Sequence, residues 1–456
     1  MKKGYLFLLM ILFLGLVACG KNTAVVATTG LLGDNGQVLL INTDDLTQPP
    51  VTAAGVNGLF QQVIVSPDGA TAYVCSSALF NNRICTVDLL TKTSTYHDLS
   101  TAVFDMALTA DGAKLVVSLL NGDIEIYDTA SWGLPQSFPI AQSWLDPYKW
   151  GSKLVLDPKR EVVYLIAIAV LPPLPTTAQV RAYKFDGTML GDGQPIASDI
   201  LPIVDDFDIA IAPPGDLLLA VSSKIYPYLV SDAGLTALNP IEAQVSERDE
   251  GTFFGKTRIL FTKNTNMIYV NSAGVKIPFV TNLGGSAYCL NKQKILADDP
   301  DPFVFSLVNF INDDFIKWII GLLDEDIANI IDPLQLYGIA DSTIVGNTCY
   351  MVIAPILQWA LDFADISDGK YVLAIFQTLP IIGNVWIGGK IIDAYPTSIA
   401  INPANNTLVL SYFWKKKVGV IKKDPFLGWL MTEETTMGVG NYPRALSMST
   451  QKTSPF

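Results

Sequence analysis

One short unit keeps returning along this chain of 456 residues: an apolar run, a polar turn, a second apolar run, then a third run ending in polar residues. The turn reads Ser66-Pro67-Asp68-Gly69 and then Thr109-Ala110-Asp111-Gly112. It returns as Asp157-Pro158-Lys159-Arg160, Ala212-Pro213-Pro214-Gly215, Thr262-Lys263-Asn264-Thr265 and Asn402-Pro403-Ala404-Asn405, with a weaker copy at Val345-Gly346-Asn347. Pro presets one turn angle, while Gly and Asn tolerate the positive φ that a tight reversal needs. Before the turns stand "QVIVS", "DMALT", "KLVLD", "DIAIA", "TRILF" and "SIAIN"; after them stand "TAYVCSS", "KLVVSLL", "VVYLIAIA", "LLLAVSS", "MIYVNSA" and "TLVLSYF". Third runs include "QVLLINTDDL", "RICTVDLLT", "DIEIYDTAS" and "QVRAYKFDG". These runs are short and rich in Val, Ile, Leu and Tyr. Some alternate and some are apolar throughout, as strands in stacked sheets do.

The turns advance from Pro67 to Ala110, Pro158, Pro213 and Lys263, a period near 50 residues. About four short strands per period is the signature of a β-propeller blade. A helical solenoid would need amphipathic helices that these segments lack, and a β-sandwich would leave so many copies to accident. The two ends complement each other: "PRALSMS" (443–449) is a first strand with no strand after it, and "AVVATTG" (24–30) is a second strand with none before it. The expected fold is all-β, a propeller of eight blades, alternatively seven, closed by pairing the C-terminal strand into the N-terminal blade. Such closure covers edges that would otherwise template aggregation.

"SPDGATAYV" and "TADGAKLVV", followed by "NGDIEIYDTAS", resemble the YVTN-type propeller repeat of bacterial surface and periplasmic proteins. The likeness spans about residues 57–131 and is fainter at 203–222 and 394–420. It implies the fold and transfers no catalytic residue. WD-type signatures and the Trp-ended repeat of quinoprotein dehydrogenases are absent.

The first 18 residues read as a targeting segment: Lys2 and Lys3, then a short apolar stretch from Leu6 to Leu16. The stretch ends in Leu16-Val17-Ala18-Cys19, which resembles the lipobox of bacterial lipoproteins. That resemblance implies cleavage before Cys19 and its acylation. Gly20, not Asp, follows, which by the same resemblance favours the outer membrane. An ordinary secretory signal stays open. The division is then a signal over 1–18, a tether over 19–23 and the propeller over 24–456. The expected setting is the cell envelope, with a membrane partner through the lipid and an envelope protein as a further partner. The formal net charge of -13 repels phosphate backbones and argues against nucleic acid.

Chemistry is harder to find. His97 is the only histidine, so a Ser-His-Asp or Cys-His site would depend on this one base in "STYHDLS", and His-rich zinc or haem sites are ruled out. Asp205, Asp206 and Asp208 cluster without the spacing of a known calcium loop. No cofactor and no metal is expected. Cys75 and Cys85 flank "SALFNNR"; read as a hairpin, they face each other and form a candidate disulfide, with buried thiols as the alternative. Cys289 and Cys349 have no evident pairing. The step from Lys263 to Val345 exceeds one blade, and about residues 301–334 read as a helical insertion. In it Asn312, Asp313 and Asp314 would cap a helix bearing Phe315, Trp318, Ile319, Leu322 and Leu323, which pack on blades or dock a partner. Lys415, Lys416 and Lys417, with Lys422 and Lys423, read as a solvated hairpin, and Trp132, Trp144 and Trp150 fall in one stretch. The leading expectation is a non-catalytic binding scaffold; the alternative is a hydrolase of the lactonase type, known among propeller relatives.

Overall fold

The runs that follow the turns are strands covered on both sides, and their apolar character follows from that. All eight residues of Val162–Ala169 are buried, as are all six of Thr407–Tyr412. A strand can be so covered only if sheets stack on both of its faces. The computed structural model, which describes residues 22–30, 35–56, 60–77, 82–169, 177–196, 207–222, 224–241, 257–272, 286–306, 337–355, 371–379, 383–392, 396–402, 405–422 and 434–448, stacks them radially. Eight four-stranded antiparallel sheets form eight blades of a β-propeller.

Blade 1 draws its second, third and outermost strands from Thr23–Thr29, Gln37–Asn42 and Val51–Gly55. Its innermost strand is Tyr442–Met448, from the other end of the chain. Ala24 lies opposite Met448 and Val26 opposite Leu446. The innermost strands of blades 2 to 8 are Phe60–Val65, Val103–Leu108, Trp150–Leu156, Asp208–Ala212, Arg258–Phe261, Tyr337–Val345 and Ser398–Asn402. Each touches the next around the whole ring, and Tyr442–Met448 touches both Phe60–Val65 and Ser398–Asn402. Eight blades exclude the seven-bladed alternative: the weak turn copy at Val345-Gly346-Asn347 belongs to blade 7 and not to an insertion.

Cores lie between blades. One cluster joins Tyr164, Ile166 and Val180 of blade 4 to Ile209, Leu218 and Tyr228 of blade 5. Each fully buried Val, Leu or Ile contributes about 1.5–3 kcal/mol. Outermost strands such as Ser94–Asp98 are half exposed and carry few apolar residues.

Antiparallel meanders give the ring two faces. Turns from innermost to second strand, and from third to outermost, open on one side, here called the turn face. The remaining connections open on the other, the loop face. On the turn face Asp68 Oδ1 accepts from Ser66 Oγ at 2.5 Å and from the Ala70 amide at 3.0 Å. Asp111 repeats this with Thr109 and Ala113. Gly69 and Gly112 have φ of +74° and +76°, a region closed to most L residues. The four longest connections, 307–336, 238–257, 356–370 and 273–285, all leave from and return to the loop face.

Two expectations are corrected. Cys75 pairs in register with Ile84, and Val74 with Cys85. The one-residue offset sends the two thiols to opposite sides of the sheet, because side chains alternate along a strand. Cys75 packs toward blade 3 and Cys85 toward blade 1, and both are thiols. The first residues of the expected helical insertion are also not helical. Phe303–Ser306 is the outermost strand of blade 6, with Phe303 edge-on to Tyr288 at 5.5 Å. Phe315, Trp318, Ile319, Leu322 and Leu323 lie outside the described residues, as does Cys19. A short helix, Lys292–Leu296, follows the third strand of blade 6, capped by the Asn291 side chain. No described helix is long and apolar enough to cross a membrane.

Candidate functional site

Each innermost strand carries a polar residue four positions before the close of its run. These are Gln62, Asp105, Lys153, Asp208, Arg258, Asp341, Ser398 and Arg444 for blades 2 to 8 and then 1. Going round from Asp105 to Asp341, acid and base alternate. The acceptors among them reach across to the next blade. Gln62 binds Met106 through both backbone groups, at 3.0 and 3.1 Å. Asp105 Oδ2 accepts from the Leu154 amide at 2.8 Å, Asp208 Oδ2 from Ile259 at 2.8 Å, and Asp341 Oδ2 from Ile399 at 3.2 Å. A base cannot accept, so the pattern changes where one precedes an acid. Asp341 Oδ1 accepts from Arg258 Nε at 3.1 Å and from the amide of its own neighbour Ser342 at 2.9 Å.

Burial disfavours the charge on Asp105 and Asp208. It pushes Asp208 up to about 6, against the pull of Arg258 and Lys153. Asp105 is raised for the same reason, again opposed by Lys153. A carboxylate that titrates near neutrality is a recognised mark of functional sites. The only legible signal for this ring was the polar first letter of "QVIVS", "DMALT", "KLVLD" and "DIAIA"; the role of each letter depends on a strand in another blade.

The second feature stands on the loop face, in the connection 140–149 from blade 3 to blade 4. Arg181, on the third strand of blade 4, forks onto Asp146: Nη1 to Oδ2 at 2.7 Å and Nη2 to Oδ1 at 2.9 Å. Their side chains are only 6% and 10% exposed. Burial works against the Asp146 charge, but Arg181 and the amides of Gln142 and Tyr148 together hold the carboxyl below its usual range. Asp146 also accepts from the amides of Gln142 and Tyr148, and Arg181 lies over the Tyr148 ring at 5.0 Å. Trp144 and Leu145, between these anchors, are 84% and 69% exposed. A buried ion pair therefore fixes a loop whose tip is a tryptophan and a leucine in water.

Other candidates are dispersed. His97 lies on the outermost strand of blade 2, stacked on Trp132 at 3.6 Å with Nε2 3.1 Å from Thr86 Oγ1; burial lowers its pKa. The three tryptophans do not meet as one surface: Trp132 packs on His97, and Trp150 donates to the Leu120 carbonyl at 2.9 Å. Lys416 lies over the Tyr442 ring at 4.5 Å, and Lys422 meets the Asp44 carbonyl at 3.1 Å; Lys423, Asp205 and Asp206 lie outside the described residues. Among the described residues no group of three His, Cys, Asp or Glu could hold a metal ion.

Solved structures share this architecture at low identity. "Dihydro-heme d1 dehydrogenase NirN in complex with DHE" aligns with a TM-score of 0.56 and 14% identity, over 93% of this chain and 74% of that one. A protein from Lactobacillus plantarum aligns at 0.51 and 13%, over 93% and 98%. Apo AztD from Citrobacter koseri aligns at 0.50 and 12%, over 93% and 97%. The chain is a β-propeller. No family model and no curated protein matches its sequence.

Proposed function

We propose that this propeller, of the YVTN-repeat type, is an exported, lipid-anchored and non-catalytic binding scaffold of the cell envelope, and that it binds an envelope protein through its loop face. The observation that carries the reading is the braced Trp144–Leu145 tip, on the face from which the longest connections leave. Holding a tryptophan rigidly in water suits contact with a partner, where preformed aromatic anchors dominate binding energy. The start of the chain supports the complementary half of the reading. Asn22 Oδ1 accepts from Asn402 Nδ2 at 2.8 Å and from Asn405 Nδ2 at 2.9 Å, on the turn face. Acyl chains on Cys19, three residues earlier, would reach only about 10 Å from that point. They would hold the turn face toward the bilayer, on our reading the outer membrane, and leave the loop face free.

The test is a pull-down from detergent-solubilised envelopes with wild type and Trp144→Ala, alongside fractionation of Cys19→Ser. The expected results are a partner that wild type retains and Trp144→Ala loses, and release of Cys19→Ser into the soluble fraction without fatty-acid labelling. Equal recovery by both baits would reject the tip as the anchor, and membrane retention of Cys19→Ser would reject the lipid. One observation favours the hydrolase alternative: Asp208 in the ring titrates near 6, within reach of general acid–base work. Hydrolysis of lactones by wild type, lost in Asp208→Asn at unchanged folding, would replace the scaffold reading.

A further inference from the structure

Cys289 and Cys349 are far apart in sequence, yet the fold turns both into one gap. In blade 6, Ile268, Val270, Tyr288 and Leu290 pack toward blade 5. The intervening Tyr269 and Cys289, direct cross-strand partners, therefore face blade 7. In blade 7, Tyr350, Val352, Leu373 and Ile375 pack toward blade 8. The alternating Cys349 and Phe376, again cross-strand partners, therefore face blade 6. Tyr269 Oη and Thr378 Oγ1 meet at 2.7 Å across the gap, which sets the heights of the two sheets against each other. Cys289 is level with Tyr269, the third residue of its strand Met267–Ser272, and Cys349 is the second residue of Thr348–Pro355. The Lys263 amide donates to the Gly346 carbonyl at 2.8 Å and ties together the turns that precede the two second strands, and Cys289 lies near enough to act electrostatically on Cys349, so the two thiols are neighbours in the gap. Both cysteines are fully buried.

We propose that Cys289 and Cys349 are an inter-blade dithiol that closes to a disulfide, fastening blade 6 to blade 7 across the longest connection of the chain. Disulfides between facing sheets are an established device in sandwich domains. In the reaction, the thiolate of one cysteine attacks a disulfide oxidant, either a small-molecule disulfide or a disulfide oxidoreductase. The second thiolate then attacks the protein sulfur of the resulting mixed disulfide and expels the oxidant's remaining thiolate. The protein loses two protons and two electrons and gains one S–S bond, while the oxidant's S–S bond is reduced to two thiols. Burial, and then nearness to Cys289, raise the Cys349 pKa well above its usual range, so the packed ring is unreactive. Closure belongs to folding or to transient opening of the gap. In the cell it rests on the export reading, which supplies an oxidising compartment.

The experiment separates the two. The purified full chain is held at its denaturation midpoint in a glutathione redox buffer, returned to native conditions, denatured, alkylated and digested without reduction. Mass mapping is expected to find the Cys289 peptide joined to the Cys349 peptide, lighter than their sum by two hydrogens, with Cys75 and Cys85 alkylated. The oxidised chain should also unfold at a higher temperature than the reduced one, and Cys289→Ala should leave Cys349 alkylated and abolish that difference. Alkylation of both Cys289 and Cys349 at every glutathione ratio would overturn the proposal. Because the buffer supplies the oxidant, that outcome is independent of whether Cys19→Ser changes the location of the protein.

Discussion

On the turn face, Asp68 and Asp111 close the same turn with the same pair of contacts, and Asp88 and Asp128 repeat a second turn by accepting from the amides two and three residues on. On the loop face, connections range from the three residues 120–122 to the thirty of 307–336. The innermost-to-second turns of the turn face are bound by local chain reversal: each reverses within two to five residues, and only a few residue types do this at low cost. The loop face joins elements whose positions the blades already fix, and added loop length costs little, since each doubling adds only about 0.6 kcal/mol. Folding information thus concentrates in the innermost-to-second turns, and freedom to vary in length is greatest on the loop face. Between them, the ring of polar residues on the innermost strands couples blade to blade.

The largest effect expected would break the comparison altogether. Ending the chain after Gly440 removes Tyr442–Met448 and bares the edge of Thr23–Thr29. Loss of the cooperative unfolding transition, or aggregation, is expected in thermal and urea scans; a native-like transition would show that the two faces stand without closure. Asp146→Ala, beneath the loop-face tip, is expected to cost about 3–5 kcal/mol, because it strands the Arg181 charge. Chemical denaturation measures it, and a cost below about 1 kcal/mol would mean that the ion pair does not hold the tip.

The ring gives a pH test. Asp208 is pushed up to about 6 in the fold, above its unfolded value, so the folded state holds this proton more tightly. Its contribution is fully present at acid pH and is lost as pH rises toward and through 6, on the order of 2–3 kcal/mol. Asp208→Asn escapes that loss. The stability of wild type relative to Asp208→Asn should therefore be greatest near pH 4 and fall by pH 7; a difference independent of pH would place Asp208 in solvent-like surroundings. The smallest effect sharpens the contrast between faces. Gly69→Val forces a β-branched residue to φ +74° and should cost about 1–2 kcal/mol, read as a shift in urea midpoint. Recovery of a loop-face partner should be unchanged, and its loss would mean the faces are not independent.

Much of the blade architecture was legible because its signals are local. A turn such as Ser66-Pro67-Asp68-Gly69 and the strands beside it answer to dihedral preferences and side-chain alternation within a few residues. Strand pairing was less so. "SALFNNR" centres a hairpin correctly, but nothing in it reveals the one-residue register offset that turns Cys75 and Cys85 to opposite sides. Register is set by which faces find cores in the neighbouring blades, and a slip of one residue exchanges the faces.

From its sequence alone this chain determined an all-β ring, the repeat that builds it and the two ends that close it, because turn chemistry and apolar patterning act within one blade. The tertiary structure alone decided that Asp105 caps an amide of the next blade, that Asp208 titrates near 6, that Arg181 pins the Trp144 loop, and that Cys289 and Cys349 share a gap. Each of these depends on the packing of one sheet against another, where burial and facing partners, and not neighbours along the chain, set the energy.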